Sequence, residues 1–329
     1  MRRQNRFTVQ MIGLALAATL SLQAQISAPL PPPPPPDAVP NFSTETREVT
    51  LHVSVLDKDG RLITDIPKEN FKVFENGEQQ DIKLFRREDV PVSMGILIDS
   101  SGSMRDRQLR VNAAALALVR YSNPDDEVFF VTFSDDPQLI QDFTSDIDKL
   151  EEAMGAIDSR GGTAMRNAVR ASMDHMMENA KHDKRVLVVV TDGADNASTE
   201  TKLEDLVREV RDSEVLVYAI GLLNDEDRRE RKAAERALDA LADASGGHAY
   251  YPENLEEVEA LTPQIAKEIR NQYTIAYEPK NKELDGTYRE IKVEVDGIGK
   301  HEVRHRTGYF ADPPEEAPPT SRRDPAIEN

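Results

Sequence analysis

The chain has 329 residues, a formal net charge of −19 and no cysteine, which leaves room for about two domains of roughly 150 residues each. The acidic balance argues against a nucleic-acid binder, which needs a basic footprint. Without cysteine there is neither a disulfide framework nor a lipoprotein attachment through an N-terminal Cys.

Arg2, Arg3 and Arg6, the apolar stretch 11–22 and Leu22-Gln23-Ala24 read as an export signal over 1–24. An apolar stretch of about a dozen residues is short for a membrane span. Signal cleavage is therefore expected to leave no span, a retained anchor being the alternative, and the protein is placed in the periplasm or outside a bacterium. Residues 25–44 contain six consecutive prolines at 31–36, which favour a stiff, extended spacer.

From 45 to 90 the pattern is alternation. Val49, Leu51, Val53 and Val55 share a face, Asp57-Lys58-Asp59-Gly60 reads as a turn, and Asn76-Gly77 is a hairpin signal between Phe71, Val73, Phe74 and Ile82, Leu84, Phe85. Residues 91–270 then alternate strands and helices, as in a parallel sheet covered on both faces. The expected strands are 94–99, 127–133, 185–191, 215–221 and a short 248–251, with an edge strand at 138–143. Helices are expected at 108–121, 147–157, 165–179, 202–212 and 226–244, the last stopped by Gly246-Gly247. Leu255, Val258, Leu261, Ile265 and Ile269 follow as the core face of a helix. From 271 to 310 the chain returns to β, with strands around Tyr273–Tyr277, 288–295 and 303–309. The two flanking β segments are expected to pair in space, since neither buries a core alone. The tail 311–329, rich in Pro and Glu, reads as disordered.

The stretch 92–104, VSMGILIDSSGSM, organises this layout. A buried strand ends in Asp99, Ser101 and Ser103 at the carboxyl edge of the sheet, where open α/β folds hold ligands. One carboxylate and two hydroxyls are hard oxygen donors suited to Mg²⁺. The spacing D-x-S-x-S resembles the metal-ion-dependent adhesion site of von Willebrand factor A (VWA) domains. Two further parts of that motif follow in order: Thr163 in Ser159-Arg160-Gly161-Gly162-Thr163-Ala164, and Asp192 after Val188-Val189-Val190-Thr191. The resemblance implies a doubly wound, mostly parallel α/β fold with Mg²⁺ (Mn²⁺ or Ca²⁺ as alternatives) on Asp99, Ser101, Ser103, Thr163 and Asp192. In that family the serines bind directly and Thr163 switches, while Asp99 and Asp192 hold waters. A partner protein's Asp or Glu supplies the last ligand. Each residue also has a plain reading as a turn or helix cap. Asp195 and Asn196 are expected on the same rim. The order β segment, VWA part, β segment ending Arg306-Thr307-Gly308-Tyr309 is similar to an exported bacterial VWA-related family known chiefly from Acidobacteria.

The site points to binding rather than turnover. A serine nucleophile needs a positioned base, and no His lies near these motifs. His175 and His182 are expected at the surface. A metal-dependent hydrolase acting on an envelope substrate and a scaffold with a non-functional site are the alternatives.

Overall fold

The computed structural model describes residues 48–313 except 88, 122 and 156. The expected signal (1–24), the Pro-rich segment (25–44) and positions 314–329 lie outside the described residues.

The central sheet has six strands: β5 (Val92–Asp99), β6 (Glu127–Phe133), β7 (Pro137–Thr144), β8 (Lys184–Thr191), β9 (Leu216–Gly221) and β10 (Ala249–Tyr250). Their order is β10-β9-β8-β5-β6-β7. All neighbours are parallel except β7, which runs antiparallel to β6 at one edge. Strands β5, β6 and β9 are buried along their whole length, and β8 at all but Arg185, which is why they read as largely apolar runs rather than alternations.

Helices cover both faces. One core joins β5, β8 and β9 side chains to α1 (Gln108–Arg120), α2 (Ile147–Met154) and α6 (Leu255–Arg270); the other joins the opposite faces to α3 (Met165–Asn179), α4 (Leu203–Asp212) and α5 (Arg228–Ser245). Helix α5 starts two residues later than the periodicity suggests because Asp227 caps it, accepting from the backbone N–H of Arg229 and Glu230. It ends where predicted, at Gly246 with φ +87°. Val258, Ile265 and Ile269 of α6 are buried as expected.

The flanking segments form two antiparallel four-stranded sheets. The first has the order β13-β1-β11-β4, built from β1 (Val49–Asp57), β4 (Ile82–Arg86), β11 (Tyr273–Tyr277) and β13 (His301–Arg304). The second has the order β14-β12-β2-β3, from β2 (Phe71–Glu75), β3 (Glu78–Gln80), β12 (Tyr288–Val295) and β14 (Gly308–Phe310). N- and C-terminal strands interleave: β11 lies between β1 and β4, and β12 pairs with β2. Val49, Leu51, Val53, Phe71, Val73, Tyr273, Ile275 and Val293 share one core, so the expected pairing of the flanks holds.

Three readings change. The strand expected at 303–309 is two strands in different sheets, because the chain crosses between the layers at 305–307. There His305 Nε2 accepts from the Val293 N–H (3.2 Å) and Thr307 O from the Ile291 N–H (2.9 Å). Ala311 and Asp312, read as the start of a disordered tail, belong to the fold: Ala311 exchanges backbone bonds with Gly286 and Thr287, and Asp312 pairs with Arg208 at 2.8 Å. His175 is not a free surface residue, since its ring stacks on Phe143 (5.5 Å, 12°) and meets Phe129 edge-on.

Candidate functional site

Strands β5 and β8 are neighbours, and the chain runs outward from β5 on both sides: to β6 and β7 first, then back to β8. At such a reversal the loops at the carboxyl ends diverge and leave a crevice. Asp99 ends β5, and Asp192 follows Thr191, the last residue of β8.

Asp99 has no exposed surface. Its Oδ1 accepts from the Ser101 N–H (2.8 Å) and its Oδ2 from the Thr191 hydroxyl (2.6 Å). Burial pushes its carboxyl up to about 6 and the Asp192 charge adds to this, while the bonds from Thr191 and Ser101 hold it back. Ser101 Oγ lies 3.0 Å from Ser103 Oγ, and Ser103 Oγ donates to Asp192 Oδ1 at 2.8 Å. Four of the five expected residues thus form one hydrogen-bonded string across two adjacent strands. The 3-10 turn Gly102–Asp106 carries Ser103 outward before α1 begins.

Thr163 is placed differently. It is buried, and its loop reaches the Asp99 turn through backbone bonds: Arg160 N–H to Ser100 O (2.8 Å) and Gly102 N–H to Gly161 O (3.2 Å). No side-chain bond joins it to the other four among the described residues. Two glycines shape this loop. Gly161 has φ +83°, and a Cβ there would fall 2.6 Å from the Asp135 carboxylate, which accepts from the Gly162 N–H at 2.8 Å.

Asp195 and Asn196 sit beside the site but are committed to holding it. Asn196 grips Thr163 from both sides, its Oδ1 accepting from the Thr163 N–H (2.9 Å) and its own N–H donating to Thr163 O (3.0 Å). Asp195 accepts from the Arg166 backbone N–H (2.7 Å) at the start of α3 and from the Arg166 guanidinium (3.1 Å), favourable for a negative charge at a helix N-terminus.

Sequence reasoning missed two participants. Thr191 orients Asp99, and strand alternation could have found it, since it precedes Asp192 on the strand beside Asp99. Arg107 carries no spacing signal. Its Nη1 donates to Asp192 Oδ2 at 2.8 Å and its Nη2 reaches Asp225. Nearby Glu226 is raised to about 7, chiefly by burial and then by Glu230.

The donor set suits a hard divalent cation: two buried carboxylates and two linked hydroxyls, with Thr163 on the loop tied to the same turn. Among the described residues no group of three or more His, Cys, Asp or Glu could hold a metal. A cation here would therefore rest largely on hydroxyl oxygen.

Residues 94–264 match the von Willebrand factor type A domain. The chain belongs to that family. Solved structures with a similar VWA-type arrangement include a von Willebrand factor type A protein from Catenulispora acidiphila. It is 14% identical, covers 82% of this chain and 74% of its own, and gives a TM-score of 0.48. An aerotolerance-related membrane protein from Bacteroides fragilis is 20% identical over 54% of this chain and 98% of its own, with a TM-score of 0.45. The vWF domain of the type V pili tip protein Mfa5 from Porphyromonas gingivalis is 13% identical over 55% and 95%, also at 0.45. No curated protein matches the sequence. Among the described residues no helix of this VWA protein is long and apolar enough to cross a membrane.

Proposed function

We propose that this VWA protein is exported to the periplasm or the cell exterior and there binds a partner protein through Mg²⁺ at Asp99, Ser101, Ser103, Thr163 and Asp192. Mn²⁺ and Ca²⁺ are the alternatives. The observation that carries the reading is the string Asp99–Ser101–Ser103–Asp192, closed by bonds of 2.8, 3.0 and 2.8 Å at the carboxyl edge of the sheet. When bound, the cation supplies an electrophilic point charge for a carboxylate that the partner presents on an Asp or Glu. The chain's own residues set the terms of that encounter. Neutral hydroxyls at Ser101, Ser103 and Thr163 offer oxygen without cancelling charge. Asp99 is held off by Thr191 and the Ser101 amide, so it balances charge from its strand end. The interleaved β sheets and the closing Arg306-Thr307-Gly308-Tyr309 support placing the chain with the exported VWA-related family known chiefly from Acidobacteria.

The partners of the serines support binding rather than turnover. Their hydroxyls bond to each other and to Asp192, not to a histidine able to activate them. The test is calorimetry of chelator-stripped protein with MgCl₂ and MnCl₂, followed by capture from envelope extract with and without EDTA. Ser101→Ala is expected to weaken cation uptake about tenfold or more, as loss of one direct ligand, with the circular dichroism spectrum unchanged. No uptake by the wild type sinks the metal reading; EDTA-resistant capture sinks the metal-gated partner.

A further inference from the structure

Asp192 is fully enclosed, yet the structure already supplies it with a positive charge. Arg107 stands where the 3-10 turn Gly102–Asp106 passes into α1, four residues beyond Ser103. From there its side chain, about a quarter exposed, lies across Asp192 and reaches Asp225 on the short turn Leu223–Asp225 after β9. With Ser103 on Oδ1 and Arg107 on Oδ2, both oxygens of Asp192 are engaged.

A guanidinium suits this position. It stays protonated at any physiological pH, and its planar fork can serve two carboxylates at once. A carboxylate as enclosed as Asp192 is costly to bury without a counter-charge, and Asp99, a second acid, lies on the adjoining strand end. Arg107 therefore does for the cation-free protein part of what a bound cation would do. A divalent cation entering the same oxygens meets this charge at close range, and like charges raise each other's cost. Asp225, which is about three-quarters exposed, gives the displaced guanidinium a second anchor.

We propose that Arg107 is a built-in competitor for the cation site: it neutralises Asp192 when no divalent cation is present and sets the concentration at which one is taken up. The inference rests on the metal reading above and deepens it. In this protein, exchange of one cation for another at Asp192, rather than simple filling of a site, governs when the partner surface becomes active.

Two variants separate charge from shape. Arg107→Met keeps a long unbranched side chain and removes the charge; Arg107→Lys keeps a charge beside Asp192. Magnesium affinity is measured by calorimetry, and melting temperature with and without MgCl₂ supplies a second readout. Arg107→Met is expected to bind Mg²⁺ on the order of tenfold more tightly, within the usual range of site-to-site coupling. Without metal it should melt below the wild type, and MgCl₂ should raise its melting temperature by more. Arg107→Lys should stay close to wild-type affinity. In the wild type, the ¹⁵N–¹H signal of the Arg107 guanidinium, assigned from the Lys variant, should move on Mg²⁺ saturation.

Equal or weaker Mg²⁺ binding by Arg107→Met overturns the competitor role while leaving the metal site standing. Should that variant fold only with Mg²⁺ present, the competitor role is supported. Should it fold under neither condition, the wild-type guanidinium signal decides, an unmoved signal overturning the proposal. Absence of Mg²⁺ and Mn²⁺ uptake in wild type and variants alike removes the metal reading itself and this inference with it.

Discussion

At the scale of single residues, the site depends on donors that keep a buried acid ionisable. Asp99 has two, the Ser101 amide and the Thr191 hydroxyl, and only the second can be removed without touching the backbone. Thr191→Val keeps the β-branched shape and leaves Asp99 Oδ2 without its donor. The expected cost is about 1–3 kcal/mol, that of an unsatisfied buried acceptor, read as a lower urea midpoint at neutral pH. The five candidate residues stood out in the sequence because D-x-S-x-S, the Gly-Gly-Thr loop and the strand-ending Asp are local patterns. Arg107 did not, because it acts across a gap in sequence, reaching a carboxylate 85 positions away. No spacing rule encodes a contact made only after the sheet has formed.

At the scale of elements, close packing sets which residues a strand can carry. Gly95 lies in the middle of β5, where an added Cβ would fall 2.3 Å from the Phe129 ring and 2.6 Å from Leu187. Gly95→Ala is therefore expected to overpack this core and lower stability by about 1–3 kcal/mol, measured by chemical denaturation. The strands and helices of the VWA part were legible because apolar runs and 3.6-residue stripes are properties of the elements themselves. The 303–309 segment was misread for the opposite reason. Alternation marks a strand but says nothing about which of two layers it joins, and the crossing at 305–307 is fixed by Val293 and Ile291 on β12. At the start of β8, Lys184 buries its ammonium and donates to Ile269 O in the last turn of α6, where the helix dipole favours a cation. Burial lowers its pKa from 10.5 to about 7, opposed by Asp126. The unfolded chain thus binds more protons than the folded one between those values, so this group's contribution to stability rises with pH from about 7 towards 10.5. Lys184→Met should flatten that part of the profile between pH 7 and 9. An unchanged slope of melting temperature against pH would remove Lys184 as its source.

At the scale of the whole molecule, the flanking sheets are one structure made from two ends of the described chain. Without 271–313, β1 and β4 lose the strand between them and β2 loses β12. That truncation is expected to leave 48–87 open to protease while the VWA part keeps its secondary structure. Persistent protection of 48–87 would contradict the interleaving. The pairing was legible in outline, since each flank is too short to bury a core alone; its register was not, because strand order depends on contacts nearly the length of the chain apart. The same interleaving fixes an order of events during synthesis. Strands β2 and β3 can pair at once, but β1, β4 and the other edge of β2 leave the ribosome before β11, β12 and β13 are translated, and β11 follows only after the entire VWA segment. Throughout that interval the early strands present unpaired edges of the kind that recruit other chains. The nascent protein thus carries an aggregation hazard in these early strands, and the hazard ends only when translation passes β13.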